Sequence, residues 1–325
     1  MRLILFLVGL LILALAVSVA FGETALSLAQ YRDAFASPSS APGEIIFGIR
    51  APRAACAALV GAALGLAGAV MQGLLRNPLA EPGVLGVSAG AGFAAACAIA
   101  LGFAAAPGVL EAAALVGALG TGAVVAVLAA RFREPETLIL FGVALAALGG
   151  ALTALVFNLS PSPVTTAEVL SWLQGSVANR DWSDFAGALV PMGLGAGLCA
   201  YAARGLRMLT LGEETAALSG LPMARLRAAA VAGAALLTGA SVAMAGVIGF
   251  VGLAAPHLVR GSVSDDPART LAPSALAGAI LLTLADVLAR VIPTEEELRL
   301  GVVTALFGAP LFALVAWRAA RSWRA

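Results

Sequence analysis

Charged side chains are scarce in this sequence, at 11% of 325 residues, so the few that interrupt its apolar runs mark where chemistry could be done. Asp286 stands inside the apolar stretch 272–292, and an acid at that depth in a bilayer is by default a functional candidate. Arg290 follows it by four residues, the order that favours an ion pair along one helix face, and this pairing competes with a proton-relay role. The only histidine, His257, follows Pro256 in an apolar run with no further ligand nearby; packing is its expected role, and no metal site is expected. Cys56, Cys97 and Cys199 lie in separate apolar runs without metal-ligand spacing and read as small core residues. The sequence offers neither paired catalytic acids nor a nucleophile beside a base, so no catalytic residue and no cofactor are expected. All 19 basic residues are arginine. Without lysine there is no P-loop or Schiff-base lysine, and any ATP hydrolysis must come from a partner.

A second group of charges lies between apolar runs, in the segment Leu211–Pro222. It reads as one short helix with defined ends. Glu213 and Glu214 occupy the first turn, where the helix dipole favours negative charge, and Gly220 followed by Pro222 supplies a stop. A helix this short needs something to pack against, either a partner or its own subunit.

The elements that carry these residues are membrane spans. Hydrophobic residues make up 61% of the chain and the mean hydropathy is +1.00, which excludes an ordinary soluble domain. The net charge of +1 implies no attraction to nucleic acid. Between Arg53 and Arg76 lie 22 uncharged residues, about the length that crosses a bilayer. Small residues recur along them at Ala57, Gly61, Gly65, Ala69 and Gly73, with Ala58, Ala62 and Gly68 on other faces. Backbones can approach such a surface closely, which places the helix inside a bundle. Gln72, Arg76, Asn77, Glu81, Pro78 and Pro82 then interrupt the apolar pattern, ending this helix near Asn77 and starting another near Val84.

The hydropathy pattern gives ten spans, the first being an uncleaved apolar run from Leu3 to Phe21. A polar segment from Ser160 to Asp184 follows the fifth span and holds Trp172 and Trp182 at an expected membrane surface. The sixth span carries Gly193 and Gly197 at helix-packing spacing, and the eighth, 247–259, is short for a crossing. With a cytoplasmic N-terminus, Arg32, Arg50, Arg53, Arg180, Arg290 and Arg299 face outward and the other thirteen arginines face inward, in line with the positive-inside bias. Gly61, Ala62, Gly68 and Pro78 recur as Gly239, Ala240, Gly246 and Pro256 at a constant offset. Because the second span runs inward and the seventh outward, the two halves, spans 2–5 and 7–10, are inverted repeats. Thr294 and Glu297 fit a capping box before the tenth span, with Glu295 and Glu296 as first-turn acids.

The run RNPLAEPGVLGVSAGAG, with IRAPR upstream and GVIGFVGLAAPHLVR and GVVTALFGAPL downstream, resembles the permease subunits of bacterial ABC importers for ferric siderophores, haem and cobalamin. The resemblance covers about Ile49 to Leu314. It implies a single all-α transmembrane domain over 1–325, in the bacterial inner membrane with both termini cytoplasmic. Its partners would be a second copy of itself, two ABC ATPase subunits, and a periplasmic or lipid-anchored substrate-binding protein. The resemblance makes 204–227 the cytoplasmic coupling segment, with Gly212, Glu213, Glu214, Ala217, Leu218 and Gly220 docking in a groove of the ATPase. It makes Arg50, Arg53 and Arg290 the docking site for carboxylates of the binding protein; membrane headgroup contacts, or neutralisation of Asp286 by Arg290, are the alternatives. It places the cytoplasmic gate at Asn77 and the turn Pro135, Glu136 and Thr137, which follows Glu134. Arg299 departs from the proline common at that place.

The implied cargo is a metal chelate, a ferric siderophore first and cobalamin or haem next, although NPLAEPGVLGVS is worded closely to cobalamin permeases. Inverted repeats would equally suit an ion-driven secondary transporter, for which Asp286 is the only mid-membrane acid in a span.

Overall fold

The computed structural model describes residues 2–22, 24–132, 135–160, 162–263, 266–294 and 296–322; Arg133, Glu134 and Glu295 of the turns considered above lie outside the described residues. The elements are helical. In order they are α1 (Arg2–Ala20), α2 (Leu28–Ala36), α3 (Ala41–Gly43), a π-helical stretch Glu44–Arg50, α4 (Ala51–Leu75), α5 (Val87–Ala100), a 3-10 turn Phe103–Ala105, α6 (Val109–Arg131) and α7 (Pro135–Leu159). Then follow α8 (Pro163–Leu173), α9 (Trp182–Leu209), α10 (Glu213–Leu218), α11 (Met223–Ala245), α12 (Val251–Arg260), α13 (Pro267–Val291) and α14 (Leu300–Ser322).

Every expected span has a helix: α1, α4, α5, α6, α7, α9, α11, α12, α13 and α14. Among the described residues seven helices, α1, α4, α6, α7, α9, α11 and α13, are long and apolar enough to cross a bilayer on their own. The 14 residues of α5 and 10 of α12 are not, because each is preceded by a non-helical segment. Before α5 the chain makes turns as far as Gly86, whose φ of 79° suits a residue without Cβ, so this helix starts at Val87 and not near Val84.

The stripe of small residues on α4 does what its spacing implies. A Cβ on Gly61 would overlap the carbonyl oxygen of Gly278, one on Gly65 that of Ser274, and one on Gly68 that of Gly252. These contacts fix α4 against α13 and α12, and α4 is enclosed by them together with α11 and α9. The α4 and α13 backbones run antiparallel in strict register: four residues forward from Gly61 to Gly65 matches four residues back from Gly278 to Ser274.

The packing is reciprocal between the halves. As α4 packs on α13, so α11 packs on α6; as α5 packs on α6, so α12 packs on α13. Gly61 and Gly239 occupy equivalent places, each against the reciprocal helix, Gly278 of α13 and Ala118 of α6, but the later pairs of the sequence offset do not. Gly68 is buried within α4, whereas Gly246 caps α11 at φ 69°; Pro78 lies in a turn, whereas Pro256 lies inside α12. Two sequence expectations fail locally. Gly193 and Gly197 of α9 face open space, and it is Gly195 that meets α11, where a Cβ would lie 2.9 Å from Leu237 and 3.0 Å from the Gly233 carbonyl. Trp172 packs inward from α8 against the cluster of Ala96, Ile99 and Val169, while Trp182 is exposed, its indole N–H donating to the Phe47 carbonyl at 3.0 Å.

Gly68→Ala should therefore destabilise by up to about 3 kcal/mol, the upper range for overpacking, because its obstacle is backbone that cannot swing aside. Gly193→Ala should be neutral or slightly stabilising. Thermal unfolding of the detergent-solubilised chain measures both, and equal midpoints would contradict the packing described.

Candidate functional site

The register of α4 and α13 carries a charge pair at one end. Eight residues before Gly61 stands Arg53, and eight after Gly278 stands Asp286, so the glycine contact delivers them to each other. Asp286 is fully buried. Arg53 holds it with a fork, Nη2 at 2.8 Å and Nε at 3.0 Å from Oδ1, and Arg290 contacts the other oxygen, Oδ2, at 3.0 Å. Nη2 also pairs with Glu297 in the α13–α14 linker, and Nη1 donates to the other oxygen of that carboxylate, Oε2, at 3.2 Å. Arg290 also donates to the Ser18 hydroxyl at 2.7 Å and to the carbonyls of Ser18 and Phe21 at 3.2 and 3.0 Å. Arg50 donates to the carbonyls of Val19, Ala20 and Thr24 and to the Tyr31 hydroxyl. Two guanidinium groups thus meet two carboxylates at a largely buried site, and their donors are directed to α1, α13 and the linker.

The expected Asp286–Arg290 pair forms, and the structure adds Arg53 and Glu297, which the sequence reading placed elsewhere. Glu297 does not close a capping box; its carboxylate goes to Arg53, while the Thr294 hydroxyl donates to the Glu296 carbonyl at 2.6 Å. Arg50, Arg53 and Arg290 do gather at one end of the molecule, yet Arg50 is only 5% and Arg53 8% exposed. None of the three presents an open fork. A carboxylate arriving from outside would have to displace Glu297 or the α1 carbonyls.

At the other end of α13, Asp266 caps that helix and pairs with Arg207 at 2.8 Å. Here lies α10. Gly212 enters it at φ 99°, and it closes with Gly220 at φ 81°, the Gly220 and Leu221 N–H groups bonding back to the carbonyls of Ala217 and Ala216 at 3.0 and 3.2 Å. This is the paired C-terminal hydrogen-bond arrangement that favours glycine. Ala216 turns inward, Glu214 and Ala217 are exposed, and Leu218 is 90% exposed. Glu213 is not free for a partner: it pairs with Arg227 of α11, whose guanidinium also donates to the carbonyls of Ala129 and Phe132, at 3.0 and 3.1 Å. Arg227 therefore ties α10 to α11 and to the end of α6, a role that no local pattern announced.

Asn77 caps its own turn, its side-chain oxygen accepting from the Leu79 N–H at 2.9 Å. It borders a recess with Thr210, Arg260 and Thr270. Pro135, Glu136 and Thr137 form the first turn of α7, which packs on α5 and α6, with Glu136 exposed and Thr137 half-buried. Within one copy of the chain these two groups have different surroundings.

Outside the spans, the Asp181 carboxyl at the start of α9 is held below its usual range by hydrogen bonds from the Ser183 hydroxyl and the backbone N–H groups of Asp184 and Ser183.

The sequence pattern of the FecCD transport family matches residues 10–318. The chain belongs to the FecCD transport family. This FecCD chain is 42% identical over 286 residues to the vitamin B12 import system permease protein BtuC of Salmonella schwarzengrund, covering 87% of this chain and 86% of that one. It is 40% identical over 316 residues to the BtuC protein of Escherichia coli O157:H7, covering 96% and 94%. A solved structure described as an inward-facing conformation of a metal-chelate type ABC transporter superposes with a TM-score of 0.87 at 32% identity, covering 98% of this chain and 99% of that one. The FecCD chain is accordingly a polytopic, all-helical permease subunit of the ABC importer type.

Removing one carboxylate from the buried network leaves two guanidinium groups facing one acid. Asp286→Ala is expected to cost on the order of 3–5 kcal/mol. Arg180→Ala, which breaks the half-buried, solvent-touching links to Glu111 and Asp184, should cost about 1 kcal/mol. Unfolding in increasing SDS reads both, and similar losses would contradict a central role for Asp286.

Proposed function

We propose that this chain is the membrane permease of an ATP-driven, binding-protein-dependent importer that carries a metal chelate across the bacterial inner membrane, with cobalamin the leading cargo. The relatives named for vitamin B12 import, matching most of the chain at about 40% identity, move cobalamin ahead of the ferric siderophore favoured by the sequence alone, with haem behind both. Two copies of the chain would work with two ABC ATPase subunits. The absence of a P-loop lysine from the sequence supports ATP hydrolysis by those partners.

The observation that carries this reading is α10. A helix entered at Gly212 and closed at Gly220, anchored to the bundle through Glu213 and Arg227, holds Glu214, Ala217 and Leu218 outward. A 90% exposed leucine on a rigid mount needs a cover, and the ATPase supplies it. That end is the cytoplasmic one, in keeping with the arginines around it, and both termini lie on that side. The region 204–227 is the coupling segment of a single transmembrane domain whose inverted halves are α4–α7 and α11–α14. The opposite end, with Arg50, Arg53 and Arg290, receives the binding protein; the three arginines hold the rim together and are reached only when the partner's carboxylates replace their internal acceptors. Asn77 and the turn Pro135–Thr137 gate the path, which runs between the two copies.

One crosslinking series tests all three contacts. In the assembled complex, Leu218→Cys should crosslink to the ATPase, Thr137→Cys to its own copy more in one nucleotide state than another, and Glu296→Cys to the binding protein. A Leu218→Cys that labels only with soluble reagents removes α10 from coupling; crosslinking at Thr137 that ignores nucleotide removes the gate; no crosslink from Glu296 removes the docking end.

A further inference from the structure

Glu81 is the acid that sequence reading treated only as an interruption between two helices. In the structure it lines a recess of about 410 Å³ beside the start of α12. The walls are the non-helical segments before α5 and α12, together with α5, α7 and α11, and they carry the hydroxyls of Ser88, Thr153 and Thr238. The Glu81 Oε2 atom is 3.6 Å from where a Cβ of Gly252 would stand. Gly252 lies eight residues before Arg260, or about 12 Å along the helix axis at roughly 1.5 Å per residue, so the recess is well inside the membrane. Non-helical backbone at that depth occurs where it is buried in protein or lines a cavity.

The polar groups here are short of partners. The Thr238 hydroxyl is buried without a hydrogen-bond partner, on a residue 1% exposed. Thr153 donates to the Gly149 carbonyl at 2.8 Å, which leaves its lone pairs open. No arginine lines the recess, and the rest of its wall is apolar. Buried polar groups in folded proteins find partners, so an orphaned hydroxyl lining the same recess as a carboxyl points to a visitor. An N–H donor suits the carboxyl, which accepts in either protonation state, while the Thr238 hydroxyl can donate to or accept from the same arm, and no cation lines the recess to receive an anion.

We propose that this recess receives an N–H-donating arm of the cargo, which makes the permease select chelates with amide- or amine-bearing peripheries over chelates ringed by carboxylates. A space of this size takes one arm of a large chelate. This rests on the reading above that the chelate passes between two copies of the chain, where α7 contributes Gly150 and Thr153 to the recess. Selection follows from leaving a buried acceptor unpaired, or opposed by a like charge, when the arm is wrong.

The test uses the complete transporter in proteoliposomes with two probes, cyanocobalamin and its monocarboxylic acid derivatives, in which one peripheral amide has become a carboxylate. At saturating binding protein, the wild type should import the amide at least about tenfold faster than the acid. Glu81→Gln keeps the shape and can donate to a carboxylate, so the ratio should fall to about threefold or less. Thr238→Val should slow the amide probe and leave the acid probe slow. Uptake with an unchanged ratio in Glu81→Gln overturns the recess alone; failure of the wild type to import either probe with ATP overturns the cargo reading and the recess with it. If Glu81→Gln does not assemble, maleimide labelling of Thr153→Cys decides: protection by cyanocobalamin and not by the acid supports the recess, and equal labelling overturns it.

Discussion

The close contact of α4 with α13 is the constraint from which the rest of the structure follows. In a bilayer the lipid tails are as apolar as the side chains, so helices are held by van der Waals contact and polar links rather than by burial from water. Gly61 and Gly65 let the α4 backbone touch that of α13 at Gly278 and Ser274, and Gly68 does the same with α12 at Gly252. Contact at that range allows one register. In it, Arg53 arrives beside Asp286, and the buried pair then penalises any slip that would strand a charge. Packing sets the distance and the ion pair sets the register.

From that axis two ends are defined. One is closed by arginines that tie α1, α4, α13 and the α13–α14 linker together; the other mounts α10 on α11 and α6 through Arg227. A push on α10 is therefore delivered to two spans. Between the two ends lie the short helices α5 and α12 and the non-helical segments before them, which carry Glu81 and its recess.

What could be read from the sequence was what depends on near neighbours. The Asp286–Arg290 pair, the glycine and acidic ends of α10, the stripe of small residues on α4 and the shortness of α12 all express spacings of a few residues. What could not be read joins distant positions. Arg53 and Asp286 are 233 residues apart, and nothing local distinguishes an arginine that will face a partner from one that will be buried on an acid. Glu297 looked like a cap because its spacing from Thr294 allowed it, but a buried guanidinium nearby is a stronger attraction than a backbone N–H. The α9 glycines had packing spacing on a face that meets no helix, since spacing gives a face and not what lies opposite. The residue offset holds at Gly61 and Gly239 and fails at Gly68 and Pro78, because α11 ends at Ala245 while α4 runs well past Gly68.

The central claim is that this permease draws its energy from a partner ATPase and moves a cobalamin-type chelate. Accumulation of cyanocobalamin in proteoliposomes tests it most directly, comparing the complete assembly supplied with ATP against the purified chain alone under a proton or sodium gradient. Uptake that requires ATP, the ATPase and the binding protein together is the predicted result. Accumulation by the chain alone down an ion gradient would contradict it.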